Sequence, residues 1–339
     1  MLITGASGFI GRNLVDACTE SGRSVVSVVR DQAAIDALSS NGNSAFSCDI
    51  CDTESIAKRL DGVKEIFHLA GVVCPYSQEK ADNVNVDATI RLAEAASKIA
   101  SPPKFIYVSS LAASGPYDTY TDEYVPRRET EPCRPVSIYG RSKLRAEIGL
   151  KQFADRLPIS IVRPPGTFGP WDRNLLGMFQ MVGKGWNLVG ISKEFTYSFI
   201  HVEDLTRGLL AVADRGIRLA TEDDLHGSQQ PGVYFLADPR ALTMVELGDL
   251  IAASLGHQRV RHLATPAALC WTMATISHWI GWLTGKRVFL NRDKMREAVA
   301  GSWVCDTTRA RNELGFEVSK NLGERLQETH DWYKEHGWL

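Results

Sequence analysis

The sequence has no excess of charge of either sign and no long basic run. Its 339 residues include 38 lysines and arginines against 40 aspartates and glutamates, which gives a formal net charge of −2. A protein that binds nucleic acid through its phosphates needs a basic stripe or patch, and this sequence has none. We therefore expect no nucleic-acid partner.

Cysteines are few, and the start of the chain lacks an export signal. The seven cysteines are spread over the whole length, an odd number that suits reduced thiols rather than a disulfide framework. A signal peptide needs a basic start and about 7–15 apolar residues, whereas Met1–Ile3 leads directly into a glycine-rich segment. Both absences predict a cytoplasmic protein. Cys48 and Cys51 form a CxxC pair that, without a second Cys or His pair, is only a weak indication of zinc or redox chemistry.

Short β-branched apolar segments alternate with helical patterns through the first half of the chain. Such alternation is typical of βαβ units, whose right-handed connections build a parallel sheet with helices on both faces. The predicted strands are Leu2–Thr4, Ser24–Val29, Ala45–Cys48, Glu65–Ala70, Lys104–Ser109 and Ile159–Arg163, with Val233–Ala237 as a later seventh. The predicted helices between them are Asn13–Glu20, Ser55–Leu60, Val84–Ile99 and Gly140–Phe153. The sequence therefore predicts an α/β fold with a doubly wound parallel sheet.

The pattern changes after Pro164, where a glycine-rich and aromatic stretch without clear periodicity runs to about Tyr197. Helical spacing returns in two later segments, Val202–Ala213 and Thr243–Leu255. We therefore expect one domain that binds a cofactor and a smaller, mostly helical lobe. The domain covers residues 1–165, with 199–238 returning to it, and the lobe covers residues 166–198 and 239–339.

Residues 264–285 form an uncharged stretch that contains Trp271, Trp279 and Trp282. The composition predicts a helix that is apolar almost all round. We interpret it as a helix buried in the C-terminal lobe; a helix on a membrane surface and a membrane-spanning helix are the alternatives. A span is disfavoured because the later segment Asp306–Phe316 would have to return to the same side to pack on the body.

Gly5, Gly8 and Gly11 form a GxxGxxG motif between the first predicted strand and the first predicted helix. In that context a glycine-rich turn lets backbone N–H groups and a helix N-terminus approach a pyrophosphate. The motif therefore predicts a dinucleotide site at the start of the chain.

The end of the second predicted strand indicates which dinucleotide is preferred. A carboxylate there accepts a hydrogen bond from the ribose 2′-hydroxyl of NAD, whereas an arginine pairs with the 2′-phosphate of NADP. Arg30 stands at this position, and Arg12 can add a second positive charge. In the alternative, Arg30 only ends the strand and Asp31 binds the ribose. We favour NADP, with NAD as the alternative cofactor.

Tyr139 and Lys143 form a YxxxK pair, and positions four residues apart share one face of a helix. A phenol with a pKa of about 10 must fall by roughly 3 pH units to exchange protons at neutral pH, so a positive charge has to lie nearby. We expect Lys143 and the nicotinamide ring to provide that charge together. Ser110, at the end of the fifth predicted strand, can hold the substrate oxygen beside the phenol. These three are the predicted catalytic residues.

In order and spacing, these motifs resemble the extended short-chain dehydrogenase/reductase superfamily, in particular its epimerase/dehydratase and 3β-hydroxysteroid dehydrogenase group. The resemblance covers nearly the whole chain and implies a Rossmann-type sheet with a smaller substrate lobe. It places Asp49 near the adenine amino group and Asn85 near the nicotinamide. The residues expected to bind the cofactor are Gly5, Ser7, Gly8, Phe9, Ile10, Gly11, Arg12, Arg30, Asp49, Ile50, Leu69, Ala70, Gly71, Asn85, Tyr139, Lys143 and Pro164.

One histidine lies in a further segment that matches the group. We interpret His201 as a packed, hydrogen-bonded side chain rather than as an acid or base, because it stands between Ile200 and Val202 at a domain junction. We expect no metal ion in the protein.

Two departures from the group's pattern restrict the reactions that we expect of this protein. Where its sugar-nucleotide 4,6-dehydratases carry an acidic pair, this chain has Leu111 and Ala112. The group's sugar-nucleotide epimerases carry an arginine that neutralises the substrate diphosphate. The matching position in this chain is at Tyr197, and its immediate neighbours are uncharged. The tryptophans of the C-terminal lobe suit an apolar pocket instead. The cations left to replace the arginine are Arg173, Lys184 and Lys193.

We therefore expect an NADP-preferring oxidoreductase that transfers a hydride between the nicotinamide and a secondary alcohol or ketone of a largely apolar small molecule. A nucleotide-sugar epimerase that transfers the hydride and then returns it to the opposite face is the alternative. A cofactor-sensing regulator without catalysis is disfavoured because Ser110, Tyr139 and Lys143 are all present. We also expect a homodimer, with membrane contact through residues 264–285 as a further interaction.

Replacement of Arg30 by alanine tests the cofactor preference. A charge-assisted hydrogen bond contributes about 1.5–3 kcal/mol, so Arg30→Ala should weaken NADP binding by roughly 10- to 100-fold and leave NAD binding nearly unchanged. Titration calorimetry with both dinucleotides measures the two dissociation constants. Equal weakening of both would show that Arg30 does not bind the 2′-phosphate.

Overall fold

A seven-stranded parallel β-sheet forms the centre of the structure. The structure is a computed structural model that describes residues 1–39, 43–75, 77–117, 125–189, 195–220, 230–284 and 291–339. The strands of the central sheet are β1 (Leu2–Thr4), β2 (Val26–Val29), β3 (Ser44–Ser47), β4 (Glu65–His68), β5 (Lys104–Val108), β6 (Ile159–Val162) and β11 (Val233–Tyr234). The other strands pair two by two: β7 (Gly166–Phe168) with β10 (Phe199–His201), β8 (Trp186–Val189) with β13 (Arg261–Ala264), and β9 (Thr196–Tyr197) with β12 (Leu242–Thr243).

Helices connect the strands and make up most of the C-terminal part of the chain. Those of the first half are α1 (Phe9–Glu20), α2 (Gln32–Leu38), α3 (Thr53–Ala57), α4 (Gln78–Asp82), α5 (Ala88–Ser97), α6 (Leu111–Ser114) and α7 (Ile138–Leu150). Those of the second half are α8 (Leu176–Gly183), α9 (Val202–Arg215), α10 (Met244–Ser254), α11 (Ala267–Thr284), α12 (Arg292–Val299), α13 (Thr308–Leu314) and α14 (Leu322–Glu335).

The strand order is β3-β2-β1-β4-β5-β6-β11, and every neighbouring pair is parallel. This confirms the predicted doubly wound sheet, and the strand at Val233 joins it as expected. Successive side chains of a strand point to opposite faces. Leu2 accordingly packs with residues of α5 and α7, whereas Ile3 packs with residues of α1 and α9. Because helices cover both faces, strands in the middle of the sheet such as β1 and β6 are mostly apolar and buried.

Several elements differ from their predicted bounds. Helix α1 starts at Phe9 rather than Asn13, because Gly8 takes the N-cap position. The helix predicted over 84–99 begins as a π-helical turn, Asn83–Asp87, before the regular α5. The stretch predicted to be irregular contains α8 and the strands β7 to β9. Helices α2, α4, α6 and α8 have only four to eight residues each, too few for hydrophobic periodicity to reveal them.

A separate apolar core lies in the C-terminal part of the chain. It is formed mainly by α8, α10 and α14, with Phe179 and Tyr333 among its buried side chains. Arg325 of α14 joins this core to α9, because its Nε donates to the Asp204 carboxylate at 2.9 Å and both side chains are buried. Breaking a buried ion pair by removing one partner typically costs about 3–5 kcal/mol. The pair therefore fixes α14 against the body of the protein.

Helix α11 contradicts the expectation that residues 264–285 form a buried helix. Within Ala267–Thr284, Ala274 and Gly281 are the buried residues, and most of the large apolar side chains are about half exposed or more. Composition could not reveal this, because an apolar sequence is the same whether it faces protein or another surface. In the part of the chain that the structure describes, no helix is long and apolar enough to cross a membrane.

Candidate active site

The glycine-rich turn between β1 and α1 has no room for larger side chains. Gly5 has a φ of +72°, and a Cβ on it would lie 2.8 Å from the Ala70 nitrogen. A Cβ on Gly11 would lie 2.2 Å from the Gly5 carbonyl oxygen. Gly8 is the N-cap of α1 and offers no capping side chain, and the first turn holds no acidic residue. The backbone N–H groups at this helix N-terminus therefore suit an anionic group such as a pyrophosphate.

The glycine-rich turn lies at the point in the sheet where the strand order reverses direction. Because β1 lies between β2 and β4, the loops after β1 and β4 diverge at the carboxyl edge of the sheet. The loop after β4, residues 69–71, is tied to β1 because the Ala70 N–H donates to Thr4 Oγ1 at 3.2 Å. His68 lies between Thr4 and Thr89, with its ring nitrogens 2.7 and 2.8 Å from their hydroxyls. Burial lowers the pKa of His68 to about 3, so a neutral ring joins the two threonines.

The residues expected at the adenosine end lie at the carboxyl ends of β2 and β3. Arg30 is exposed, whereas Asp31 caps α2 by accepting from the Ala33 N–H at 3.0 Å. Asp49 accepts from the Cys51 N–H at 2.8 Å and so shapes the turn after β3. Asp31 therefore has a structural role at the start of α2.

Arg12 is held over the glycine-rich turn by a segment from later in the chain. Its Nε donates to the Ser7 carbonyl oxygen at 3.1 Å, and its guanidinium lies 4.6 Å from the centre of the Trp171 ring. Trp171 has a φ of +71°, which is strained for a bulky residue. Asn13 Nδ2 donates to the Pro170 carbonyl oxygen at 3.0 Å. This segment therefore packs on the start of α1 and keeps a positive charge beside the turn.

Asn85 connects the loop after β4 to helix α7. It lies in the π-helical turn, where its Oδ1 accepts from the Val72 N–H at 2.7 Å and its Nδ2 donates to the Val72 carbonyl oxygen at 3.1 Å. Nδ2 also donates to Ser142 Oγ at 2.9 Å. A Cβ on Gly71 would lie 3.0 Å from Asn85 Oδ1. Asn85 therefore sets the position of the loop expected to line the cofactor, while both of its amide protons bond within the protein.

The structure brings the predicted catalytic residues Ser110, Tyr139 and Lys143 together. Ser110 follows β5 as the N-cap of α6, and Tyr139 and Lys143 lie one turn apart on α7. Helices α6 and α7 pack so closely that a Cβ on Gly140 would lie 2.2 Å from the Ala112 carbonyl oxygen. This contact brings the side chains of Tyr139 and Ser110 close enough to interact.

Burial shifts the pKa values of both titratable members of this group. Desolvation raises the pKa of Tyr139 to about 12, and the positive charge of Lys294 and the hydrogen bond with Ser110 oppose that rise. Desolvation lowers the pKa of Lys143 to about 8. The Lys143 amine donates to the Val108 carbonyl oxygen at 2.8 Å, so it lies at the C-terminal end of β5.

Asp293 and Lys294 of α12 reach Tyr139 from the C-terminal part of the chain. The Asp293 carboxylate accepts from the N–H groups of Ile138 and Tyr139 at 2.7 and 3.2 Å, and thereby caps α7. The Lys294 amine lies 5.5 Å from the centre of the Tyr139 ring and 2.7 Å from Glu297 Oε2. Lys294 is therefore a second cation beside the phenol, in addition to the lysine of the YxxxK pair. No spacing rule links α7 to α12, so the sequence contained no pattern that could have indicated it.

The side chains around Tyr139 form an apolar cluster. Its buried members are Leu111, Ala112, Tyr139, Phe235, Ala237, Trp303 and Cys305, and Val136, Tyr197 and Ala300 pack against them. Tyr197, at the position where an arginine would neutralise a diphosphate, thus belongs to an apolar surface. Of the cations considered as replacements, Arg173 stacks 5.0 Å from the centre of the Trp338 ring. Lys184 is exposed at the end of α8, and Lys193 lies outside the described residues.

His201 has a structural role in this geometry. It is the N-cap of α9, where its Nδ1 accepts from the Glu203 N–H at 3.4 Å. Burial lowers the pKa of His201 to about 4, so the ring is neutral at physiological pH. His201, Glu203 and Glu328 lie close enough together to hold a metal ion. Arg325 already occupies this cluster, because its Nη1 donates to both carboxylates at 2.6 and 2.7 Å.

The CxxC pair shows no feature of a reactive site. Cys48 and Cys51 are both free thiols, and burial raises the pKa of each. Zinc binding and redox chemistry need the thiolate form, which a raised pKa disfavours.

Comparisons with known proteins show which chains are similar to this one. Residues 1–223 match the model of the NAD dependent epimerase/dehydratase family. A ceramide reductase from Caulobacter vibrioides is 28% identical over 340 residues, which cover 99% of this chain and 95% of the relative. A 3-beta-hydroxysteroid dehydrogenase from Mycolicibacterium neoaurum is 26% identical over 98% of this chain and 91% of the relative. The crystal structure of a UDP-glucose 4-epimerase from Thermotoga maritima has the same fold, with a TM-score of 0.76 and 20% identity over 99% of this chain and 98% of that chain.

Gly11→Ala tests the dinucleotide turn without reference to any substrate. The added Cβ would lie 2.2 Å from the Gly5 carbonyl oxygen, so the turn must open, and we expect cofactor binding at least about tenfold weaker. Gly177→Ala is the matched control, because nothing lies within 4 Å of a Cβ at that position. Calorimetry gives the affinity for each dinucleotide, and circular dichroism confirms folding. Unchanged affinity in a folded Gly11→Ala protein would contradict the assignment of the turn.

Proposed function

Because the chain belongs to the NAD dependent epimerase/dehydratase family, we propose that it is an oxidoreductase for a secondary alcohol or ketone on a largely apolar molecule. It is an NAD(P)-dependent enzyme of the extended short-chain dehydrogenase/reductase type, and we propose that it prefers NADP. The apolar cluster around Tyr139 is the observation that carries the proposal. A substrate diphosphate would bring about two negative charges into a partly buried cleft, where unpaired charges cost several kcal/mol. Tyr197 carries no positive charge that would offset them, and Lys294 already pairs with Glu297.

Two parts of the chain have different roles in this proposal. Residues 1–165 and 199–238 bind the dinucleotide, and residues 166–198 and 239–339 bind the substrate. When bound, the nicotinamide cofactor accepts a hydride from the alcohol or donates one to the ketone. The N-terminus of α1 holds the pyrophosphate, and the exposed Arg30 pairs with the 2′-phosphate.

Tyr139 transfers the proton of the reaction. In alcohol oxidation, the hydroxyl proton passes to the Tyr139 phenolate as the hydride leaves the carbon, and in ketone reduction both transfers reverse. Ser110 lies beside the phenol and donates a hydrogen bond that holds the substrate oxygen. Lys143 lies one turn away on the same helix face, and a Cβ on Gly71 would lie 3.5 Å from its Nζ. The lysine amine therefore lies next to the loop that lines the cofactor.

The names of the relatives support an apolar substrate. Ceramide and 3β-hydroxysteroids, which appear in two of those names, are largely apolar molecules that carry hydroxyl groups. The likeness to a UDP-glucose 4-epimerase concerns the fold alone, because the two chains are 20% identical. A nucleotide-sugar epimerase is therefore kept as the competing outcome of the experiment that follows.

A thermal-shift screen of the NADP complex tests the substrate class. Apolar hydroxy or keto compounds, steroid-like or long-chain, should raise Tm by several degrees, because a ligand at 100 times its Kd stabilises a protein by about 2.7 kcal/mol. UDP- and dTDP-sugars should leave Tm unchanged. For each compound that binds, absorbance of the reduced cofactor shows whether net redox occurs, and the parent hydrocarbon is the matched control for turnover. A shift with UDP-sugars and with no apolar alcohol would favour the epimerase.

Lys294→Met tests the cation over the phenol, with a substrate from the screen. Loss of the positive charge should raise the pKa of Tyr139, so the rising limb of the pH profile for alcohol oxidation should move to higher pH by about one unit. Lys294→Arg keeps the charge and should keep the profile. An unshifted profile in Lys294→Met would show that this lysine does not act on the phenol.

Tyr139→Phe is the reference variant for this measurement. It should keep NADP binding and lose about 10²–10⁴-fold in turnover, because only the hydroxyl that transfers the proton is removed. Turnover within about threefold of the wild type would instead refute the role of Tyr139 itself.

A further inference from the structure

Helix α11 exposes a continuous apolar stripe. Its side chains recur at alternating intervals of four and three residues, which place them along one helix face. The members, each between 48% and 73% exposed, are Leu269, Met273, Ile276, Ile280 and Leu283. Trp279 and Trp282, 53% and 59% exposed, extend the apolar surface. Contiguous exposed apolar surface on a folded protein marks a site of interaction.

The charged residues within the sequence window that contains α11 have one sign. Residues 250–292 contain no aspartate or glutamate. The basic residues that flank the helix within this range are Arg259, Arg261, Lys286, Arg287 and Arg292. Arg259, Arg261 and Arg292 are exposed in the structure. An apolar helix flanked by cations is complementary to a surface with an apolar interior and an anionic boundary.

We propose that α11 docks the protein on an anionic lipid surface. The helix lies in the plane of the headgroups, with the stripe among the upper parts of the acyl chains. Its exposed tryptophans lie at the headgroup level, where amphipathic rings are enriched, and the flanking arginines bind lipid phosphates. The protein remains on one side of the bilayer, because Asp293 of α12, the next described helix after α11, caps α7.

Charge also favours a lipid surface over a second copy of this chain as the occupant of the stripe. Two copies that paired through α11 would bring their flanking arginines together at the ends of the helices. Residues 250–292 offer no acidic partner for them, and juxtaposed like charges oppose association. A lipid surface with anionic headgroups attracts the same arginines instead of repelling them.

Vesicle flotation tests the proposal and requires no enzymatic activity. The full chain should float with vesicles of phosphatidylcholine and phosphatidylglycerol, much less with phosphatidylcholine alone, and less in high salt. Ile276→Gln with Ile280→Gln should lower the partition coefficient at least about tenfold. Ile148→Gln with Ile217→Gln is the matched control, because those isoleucines lie elsewhere and are similarly exposed, 58% and 47% against 56% and 53%. Arg259→Gln and Arg261→Gln should each lower binding to the anionic vesicles about fivefold.

Three results would overturn the proposal. The first is a wild-type chain that does not float with anionic vesicles. The second is an equal loss of flotation in the stripe variant and in the matched control, which would show that the surface of α11 is not special. The third is a dimer in gel filtration that the stripe variant abolishes, without flotation of the wild type, which would assign the stripe to a second copy.

Discussion

The parallel pairing of β1 with β4 determines where the functional residues lie. Because β2 continues on the other side of β1, the loops after β1 and β4 separate and leave a crevice at the carboxyl edge of the sheet. The Thr4 hydroxyl fixes the floor of this crevice, since both His68 and the Ala70 N–H bond to it. The glycine-rich turn then lies on one side, and Ser110, at the end of β5, lies on the other. Loss of this one hydroxyl would leave a buried imidazole nitrogen without its partner, which is costly in a desolvated site.

Helix α7 is held by buried charges as well as by apolar contacts. Tyr139, Lys143 and Glu147 follow one another at intervals of four residues, and all three are buried. Glu147 accepts from Arg163 Nε at 3.0 Å and from the Ser109 hydroxyl. This network ties the helix that carries the phenol to the ends of β5 and β6. The face of α7 that carries Tyr139 and Lys143 therefore continues to Glu147, whose contacts hold the helix in place.

Features that depend on neighbours in sequence were predictable, and features that depend on distant contacts were not. Gly5, Gly8 and Gly11 lie between a strand and a helix, so their spacing alone indicates the turn that the structure contains. Lys294 reaches Tyr139 only through tertiary contact, and nothing in its own segment indicates a partner on α7. The sequence correctly predicts that α11 is a helix but wrongly predicts that it is buried, because an apolar composition does not show whether a helix faces the protein interior or another surface.

Asp293 and Lys294 make the proton transfer proposed for Tyr139 depend on how the C-terminal part of the chain packs against α7. Both residues lie on one turn of α12, so a displacement of that helix would remove the carboxylate from the N-terminus of α7 and the charge from above the phenol in a single movement. The glycine-rich turn itself lies between β1 and α1, far from α12 in the chain. A protein with an incompletely docked lobe would then still bind the dinucleotide but would hold a phenol that is harder to ionise, so its activity at neutral pH would report on the completeness of folding.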